Sequence, residues 1–196
     1  MARLAVLASG NGSNFQALAE SLGAIEGRPH ECVLLVHDRR EAYAARRAAG
    51  LGIPSRYVPY FGRGAREAET ELAEALDQAK ADIVALAGFM RILSPGFVKP
   101  REGRMVNIHP SLLPKWPGSR AIERAFEAGD SLFGATVHLV DSGVDTGPII
   151  ACASFEARPG SALAEIEAMV HAVEREIFPR AVAGLLDAVD GKGRRP

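Results

Sequence analysis

An amide, an imidazole and a carboxylate that could act together on an acyl group stand in the second half of the chain. Asn107 and His109 lie two residues apart in the string Asn107–Pro110, and Asp145 follows at a distance. Residues two apart on an extended backbone point to one face of a sheet. The amide and the imidazole can donate to a developing oxyanion, and a nearby carboxylate keeps the imidazole charged. For the pair alone, a hydrogen-bonded polar cluster at a strand end is the alternative.

The element that must position this pair is a strand. Asn107 and His109 end an apolar run that includes Met105 and Val106, and the proline that follows them ends the predicted strand because it cannot donate to a sheet. The next residues, Ser111–Gly118, form a loop punctuated by prolines. Loops at the carboxyl end of a strand are common places for functional side chains.

The glycine-bearing segment Ser9–Asn14 joins a predicted strand, Arg3–Ala8, to a predicted helix. Its two glycines let backbone amides turn toward a ligand, and the dipole of the following helix favours an anion there. Phe15 stands where the dinucleotide fingerprint has its third glycine, and the segment lacks the lysine of a nucleotide triphosphatase loop. We therefore predict a site for a mononucleotide phosphate, with a ligand-free turn capped by Ser13 or Asn14 as the alternative.

Apolar runs alternate with helical repeats along the chain, which predicts an α/β fold around a mostly parallel sheet flanked by helices. The predicted strands are Arg3–Ala8, Cys32–Val36, Ile83–Ala87, Arg104–His109, Gly134–Val140 and Pro148–Phe155. The helices predicted after the first one cover Ala42–Ala49, Arg66–Ala79, Arg120–Ala128 and a long final segment from about Ala162. The link Asp141–Gly147 is too short for a helical crossover, so we expect the later strands to be mixed in direction.

Composition narrows the class of protein further. With 196 residues, 47% hydrophobic and 24% charged, the chain can bury the core of one domain without a disulfide or a metal. A net charge of -1 gives no reason to expect nucleic acid or a membrane as a partner, and no apolar stretch approaches membrane-spanning length. Cys32 and Cys152 have no partner at metal-binding spacing. We expect both thiols to be buried and the protein to be cytoplasmic.

Three longer segments, one of which contains Asn107 and His109, carry a further sequence pattern. Gly88–Leu93, Asn107–Pro114 and Asp141–Pro148 together resemble the folate-dependent formyltransferases, with the greatest similarity to the branch that formylates glycinamide ribonucleotide. The Ser9–Asn14 loop is specific to that branch. The resemblance implies a Rossmann-like fold in one domain, residues 1–196, with a phosphate-binding half over roughly residues 1–100. A catalytic and folate-binding half covers roughly residues 101–190, and the two halves meet in one cleft.

The resemblance also implies a reaction and a set of site residues. The formyl group of 10-formyltetrahydrofolate, a co-substrate, would pass to the amine of glycinamide ribonucleotide without a metal and without a covalent enzyme intermediate. Catalysis is expected from Asn107, His109 and Asp145. The residues expected to contact the ribonucleotide are Gly12, Ser13, Asn14, His171, Ala172, Val173 and Glu174. Those expected to contact folate are Arg66, Met90, Arg91, Ile92, Leu93, Asn107, Asp141, Ser142, Gly143, Val144 and Asp145.

Other functions remain as alternatives at this point. Methionyl-tRNA formyltransferase is expected to carry an extra RNA-binding domain, and formyltetrahydrofolate hydrolase an extra regulatory domain, and 196 residues leave room for neither. A non-catalytic nucleotide-binding module with the same fold is the alternative from a different class, and the intact trio argues against it. The expected partners are small molecules, with a homodimer left open.

Overall fold

The computed structural model describes residues 1–24 and 30–193. These residues form a seven-stranded sheet with helices on both faces. The strands are β1 (Arg3–Ala8), β2 (Glu31–His37), β3 (Ser55–Tyr57), β4 (Ile83–Leu86), β5 (Met105–His109), β6 (Leu132–Leu139) and β7 (Ile149–Glu156). The helices are α1 (Ser13–Ala24), α2 (Tyr43–Gly50), α3 (Ala65–Gln78), α4 (Pro95–Val98), α5 (Ala121–Glu127) and α6 (Leu163–Gly193), with a short 3-10 helix at Lys99–Arg101.

The strand order confirms the predicted fold class. The sheet runs β3-β2-β1-β4-β5-β6-β7, with parallel pairing from β3 to β5 and antiparallel pairing from β5 to β7. Both the mostly parallel sheet and the mixed direction of the later strands agree with the prediction from sequence. The sequence analysis does not predict β3, because Ser55–Tyr57 is only three residues long and has no apolar run.

Helices cover the sheet on both faces. On one face, α1, α2 and α6 pack against Leu4 and Val6 of β1, and on the other, α3 and α4 pack with Ala5 and Leu7. Because β1 is covered on both sides, it is apolar throughout rather than alternating. Within residues 1–24 and 30–193, no helix is both long and apolar enough to cross a membrane.

The carboxyl ends of β1, β4 and β5 lie side by side at one edge of the sheet. The strand order reverses between β1 and β4, because the chain runs outward from β1 to β2 and β3 before it returns to β4. Pairing places Leu7 beside Leu86, and Leu86 beside Asn107. Ligand crevices of α/β sheets form at such a reversal. The fold therefore brings the Ser9–Asn14 loop, the segment after β4 and the end of β5 to one crevice.

The edge strand β7 corrects one expectation from the sequence. Cys32 on β2 is buried as predicted, but Cys152 on β7 is exposed. Ala151 and Ala153, on either side of Cys152, pack against the core, so the Cys152 side chain lies on the opposite, exposed face of this edge strand. The prediction of two buried thiols was therefore wrong for Cys152.

Candidate active site

Asn107 and His109 on β5 share one face of the sheet, and Asp145 reaches them from the connection between β6 and β7. Oδ2 of Asp145 lies 3.3 Å from Nδ1 of His109, and its Oδ1 accepts a 3.3 Å hydrogen bond from Nδ2 of Asn107. The side chain of His109 is 7% exposed and that of Asp145 is 13% exposed. The structure thus gathers the three residues that the sequence singled out into one largely buried polar group.

The connection that carries Asp145 folds tightly back over β5. A Cβ on Gly147 would lie 1.9 Å from the carbonyl oxygen of Leu139, so only glycine fits there. Asp145 has a φ of +55°, a left-handed conformation that aspartate and asparagine tolerate better than most residues. Its Oδ2 also accepts a 2.7 Å hydrogen bond from the amide of Gly118. Backbone conformation and this hydrogen bond together fix the carboxylate.

The surroundings of Asp145 keep its carboxylate ionised. Burial alone would raise its pKa. The His138 side chain when its ring is protonated, the hydrogen bond from the Gly118 amide and the charge of a protonated His109 oppose that effect and lower the pKa from 3.8 to about 2. An ionised carboxylate next to His109 stabilises positive charge on that ring.

The orientation of the His109 ring follows from the contacts of its two nitrogens. Nε2 lies 2.8 Å from the carbonyl oxygen of Trp116, and a carbonyl oxygen can only accept, so Nε2 carries a proton. Nδ1 therefore faces Asp145 and is the atom that gains a proton when the imidazolium forms. Trp116 is held in turn by a 2.8 Å hydrogen bond from its indole nitrogen to Asp130.

His138 belongs to this group, although the sequence-based site does not include it. It pairs with Asn107 across β5 and β6, and its Nε2 lies 3.1 Å from Nδ2 of Asn107 and 3.4 Å from Oδ1 of Asp145. Its Nδ1 lies 2.8 Å from the carbonyl oxygen of Leu139, so in the neutral ring Nδ1 carries the proton and Nε2 accepts from Asn107. The sequence signal for this placement is the alternation of His138 with Thr136 on one strand face.

Thr136, also absent from the sequence-based site, holds the loop that follows β5. Its Oγ1 donates to the carbonyl oxygen of Ser111 at 2.7 Å and accepts from the amide of Leu113 at 3.1 Å. The Thr136 side chain is fully buried, so water does not compete for these bonds. Threonine is common in strands, and nothing in the sequence distinguishes this one.

The Ser9–Asn14 loop connects β1 with the segment after β4, because Oγ of Ser9 accepts a 2.7 Å hydrogen bond from the amide of Met90. Gly12 has a φ of +77°, and a Cβ there would lie 2.6 Å from Cβ of Ala44 on α2. Glycine is therefore required by both the backbone conformation and the close approach of α2. The loop leads directly into α1, whose first amides and dipole favour an anion.

Two residues of α6 join Asn14 in a second hydrogen-bonded group. Nδ2 of Asn14 donates to Oε2 of Glu174 at 3.1 Å, and the same oxygen lies 2.8 Å from Nδ1 of His171. The hydrogen bond to Glu174, together with its charge, raises the pKa of His171 against the effect of burial. Ala172 is exposed and Val173 packs against the core, so neither side chain contacts this group.

The segment after β4 presents a mixed surface to the crevice. Met90 and Ile92 are exposed, whereas Leu93 is buried in the core. The guanidinium of Arg91 forms a 2.5 Å ion pair with the buried carboxylate of Asp38 at the end of β2. The apolar side chains of this segment that a ligand can contact are therefore those of Met90 and Ile92.

The other residues expected to contact folate lie in two places. Asp141 accepts hydrogen bonds from the amide of Gly143 at 3.0 Å and from the hydroxyl of Thr146 at 2.8 Å, which close the loop. Ser142–Val144 at its tip are exposed. Arg66 is exposed in the first turn of α3, outside the group formed by Asn107, His109 and Asp145.

The chemistry open to the site follows from its donors. Nδ2 of Asn107 and a protonated Nδ1 of His109 can donate to one oxygen atom, while Asp145 supports the positive ring. The Ser9–Asn14 loop offers backbone amides to an anion. Together they suit acyl transfer to an acceptor that carries a phosphate. In the described part of the chain, no three His, Cys, Asp or Glu side chains cluster so that they could hold a metal ion.

Comparison with known proteins gives consistent matches. The sequence model of the formyl transferase family matches residues 2–182. Phosphoribosylglycinamide formyltransferase of Bacillus subtilis (strain 168) is 39% identical over 187 residues, which are 95% of each chain. The trifunctional purine biosynthetic protein adenosine-3 of Drosophila pseudoobscura pseudoobscura is 44% identical over 183 residues. The match covers 92% of this chain but only 13% of that longer protein.

A solved structure extends the similarity to the fold. Glycinamide ribonucleotide transformylase 1 from Geobacillus kaustophilus superposes with a TM-score of 0.88 at 42% identity, covering 95% of this chain and 99% of that one. Sequence and fold therefore match over the same, nearly complete length. On both grounds, this chain belongs to the formyl transferase family.

Proposed function

We propose that the protein transfers the formyl group of 10-formyltetrahydrofolate to the amine of glycinamide ribonucleotide, a step of purine biosynthesis. The observation that carries the proposal is the hydrogen-bonded group of Asn107, His109 and Asp145. It lies in the crevice that also contains the Ser9–Asn14 loop. Relatives named for this reaction, of nearly the same length as this chain, support the proposal.

The proposed reaction is a direct transfer. The amine nitrogen attacks the formyl carbon, a carbon–nitrogen bond forms, and an electron pair moves onto the formyl oxygen. Asn107 and protonated His109 donate to this oxyanion, and each donor lowers the barrier by about 3 to 4 kcal/mol, as oxyanion-hole donors do. The intermediate collapses as its bond to the folate nitrogen breaks. That nitrogen gains a proton, and the attacking amine loses one.

The Asn107 amide must exchange one partner to take part. Its two hydrogens have acceptors in Nε2 of His138 at 3.1 Å and Oδ1 of Asp145 at 3.3 Å. The longer bond to Asp145 is the weaker one, so the formyl oxygen replaces Asp145 there. His138 keeps the other hydrogen and with it the orientation of the amide.

The two substrates are assigned to the two sides of the crevice. We place the ribonucleotide phosphate on the amides of Gly12–Asn14 and further ribonucleotide contacts on His171 and Glu174. We place the folate ring between Met90–Leu93 and the Asp141–Val144 loop, where it meets mostly backbone groups. The division into a phosphate-binding half over roughly residues 1–100 and a catalytic half over roughly residues 101–190 belongs to the same proposal.

We also propose the cytoplasm as the compartment. Cys32 and Cys152 are both free thiols, which fits a reducing environment.

The test is formylation by the purified protein. Glycinamide ribonucleotide and 10-formyltetrahydrofolate are supplied together, the absorbance of the deformylated folate is followed, and the formylated ribonucleotide is identified by mass spectrometry. Omitting the ribonucleotide is one control, and the folded variant His109→Ala, which lacks the ring donor, is the other. We expect product only with both substrates, and far less of it with the variant.

Two outcomes would contradict this proposal. Folate consumed at the same rate without the ribonucleotide would indicate a hydrolase. A folded protein that binds the ribonucleotide but never forms product would indicate a non-catalytic binding module.

A further inference from the structure

Arg47 on α2 contacts the Ser9–Asn14 loop from behind. Its Nε donates to the carbonyl oxygen of Asn11 at 2.9 Å, and its Nη2 donates to the side-chain oxygen of the same residue at 2.7 Å. Its Nη1 donates to the side chain of Gln16 on α1. One guanidinium thus connects the loop, the helix that follows it and α2, and the forked geometry of arginine suits such multiple bonds.

These contacts set the direction of two backbone amides. The carbonyl of Gly10 accepts from the amide of Ala44 on α2 at 3.1 Å, and the carbonyl of Asn11 accepts from Arg47. In a planar trans peptide the carbonyl and the following N–H point in opposite directions. The amides of Asn11 and Gly12 therefore point away from α2, and neither donates a backbone hydrogen bond within the described residues.

Helix α2 also packs closely against the loop at Gly12. Gly12 lies so near Ala44 that a Cβ would be 2.6 Å from the alanine Cβ. The loop is therefore pressed against α2 at Gly12 and bonded to α2 on the amino-terminal side of Gly12. Of the contacts between the loop and α2 described above, only those of Arg47 depend on a charged side chain.

We propose that Arg47 is a positioning residue for the ribonucleotide phosphate. It holds the Asn11–Gly12 peptide so that the Gly12 amide is presented to the anion, and it places a positive charge behind the loop. This inference rests on the proposed function, because it takes the Ser9–Asn14 loop as the phosphate site. Beyond that function, the inference identifies Arg47 on α2 as a residue that fixes the geometry of the phosphate site without itself contacting the substrate.

The chain offers a matched control in Arg46. The guanidinium of Arg46 lies 5.8 Å from the ring of Tyr43, and that of Arg47 lies 5.0 Å from the same ring. Both residues therefore carry the same charge on the same helix beside the same aromatic side chain. Only Arg47 has a hydrogen bond to the loop. Arg46→Ala removes a charge from α2 without touching the loop.

The experiment compares Arg47→Ala, Arg47→Lys and Arg46→Ala in the full chain. Ribonucleotide affinity is measured by calorimetry, and KM for each substrate and kcat are measured by the formylation assay. For Arg47→Ala we expect ribonucleotide Kd and KM to rise by about ten-fold, which is the effect of losing the one charge-assisted hydrogen bond from the Gly12 amide to the phosphate. The folate KM should be unchanged. Arg47→Lys should recover only part of the loss because an ammonium cannot make the forked contact. Arg46→Ala should behave as wild type.

Several results would overturn the inference. Wild-type ribonucleotide affinity in Arg47→Ala would exclude the role, and equal losses for both substrates with a lowered Tm would show a general structural effect. Full recovery in Arg47→Lys would reduce the role to charge alone.

If wild type forms no product, the proposed function fails separately. Titration with inorganic phosphate, read from the NMR shift of the Gly12 amide, then still tests Arg47. An unchanged phosphate response in Arg47→Ala would contradict the inference there too.

Discussion

Replacing Asp145 with asparagine tests the charge of the carboxylate proposed to support catalysis. Asparagine keeps the size of the side chain and tolerates the left-handed φ of +55° at this position, so the backbone should not be strained. The variant loses the negative charge 3.3 Å from Nδ1 of His109. It also loses one of two acceptor oxygens, so that with its amide oxygen on Gly118 its NH2 group faces Asn107. Asp145→Asn should therefore change electrostatics and leave the loop conformation in place.

The size of the effect on stability follows from the lowered pKa. Folding takes the pKa of Asp145 from 3.8 to about 2, and one pKa unit corresponds to about 1.4 kcal/mol. The side chain is 13% exposed, so solvent screens the charge little. The ionised carboxylate thus stabilises the fold by about 2 kcal/mol. Because the folded-state pKa is lowered, this stabilisation is present above about pH 4 and is lost as the pH falls toward 2.

Two measurements test this reasoning. Urea unfolding, followed from about pH 7 downward, should give a lower free energy of unfolding for the variant at neutral pH and a shrinking difference in acid. Turnover near neutral pH should fall by about two to four orders of magnitude, as in catalytic triads that lose their carboxylate. Ribonucleotide affinity should change little, because Asp145 is assigned no contact with that substrate.

Asp141→Asn is the matched control. It removes a carboxylate of the same loop that bonds Gly143 and Thr146 but has no contact with either histidine. Because Asp141 lies in the loop assigned to folate, any change in this control should fall on the folate KM, and kcat at saturating folate should stay much closer to wild type. If Asp145→Asn kept near-normal turnover, or if its loss of stability were the same at every pH, Asp145 would be a loop-structuring residue without an electrostatic role.

Three further outcomes are expected. Gly12→Val should weaken ribonucleotide binding by more than about ten-fold, because a side chain there collides with Ala44 and is strained at positive φ. If calorimetry on the folded variant gave an unchanged affinity, the phosphate would bind elsewhere. Glu174→Gln should return the raised pKa of His171 toward its ordinary value in an NMR titration. The stability that this pair gives the wild type below about pH 6.5, and that the wild type loses as the pH rises, should be absent from the variant. An unmoved titration would refute Glu174 as the cause of the raised pKa. A reduced-folate analogue should protect the Met90–Leu93 amides from hydrogen exchange, and protection confined to the phosphate side would contradict the division of the crevice.

The sequence predicts most of the fold and the strand that carries Asn107 and His109. Continuous apolar runs predict the buried strands because a strand covered on both faces needs apolar residues at every position. The spacing of Asn107 and His109 places them on one face because strands have a period of two. Both patterns are local. Elements without a local pattern, such as the short strand Ser55–Tyr57, could not be found this way.

The rest of the site depends on contacts between distant parts of the chain. Asp145 reaches His109 through a left-handed residue and the Gly118 amide, and no spacing in the sequence encodes that approach; its assignment came from family resemblance. His138 lies beside Asn107 because of the register between β5 and β6, which sequence periodicity does not set. Thr136 and Arg47 act through backbone carbonyls and amides, and such partners leave no sequence motif.

The pairing of strands far apart in the chain has a consequence for the order of folding. β5, β6 and β7 are consecutive in sequence and pair as neighbours, whereas β1 pairs with β4, as in Leu4 with Ile83. Closing a long loop costs more chain entropy than closing a short one, and distant pairings form more slowly. The β5–β7 meander, which carries Asn107, His109 and Asp145, therefore has the lower entropic barrier to formation. The proposed catalytic group is built on the part of the sheet that can close early, whereas the contact between Ser9 and Met90, which joins the anion loop to the segment after β4, must wait for β4 to reach β1.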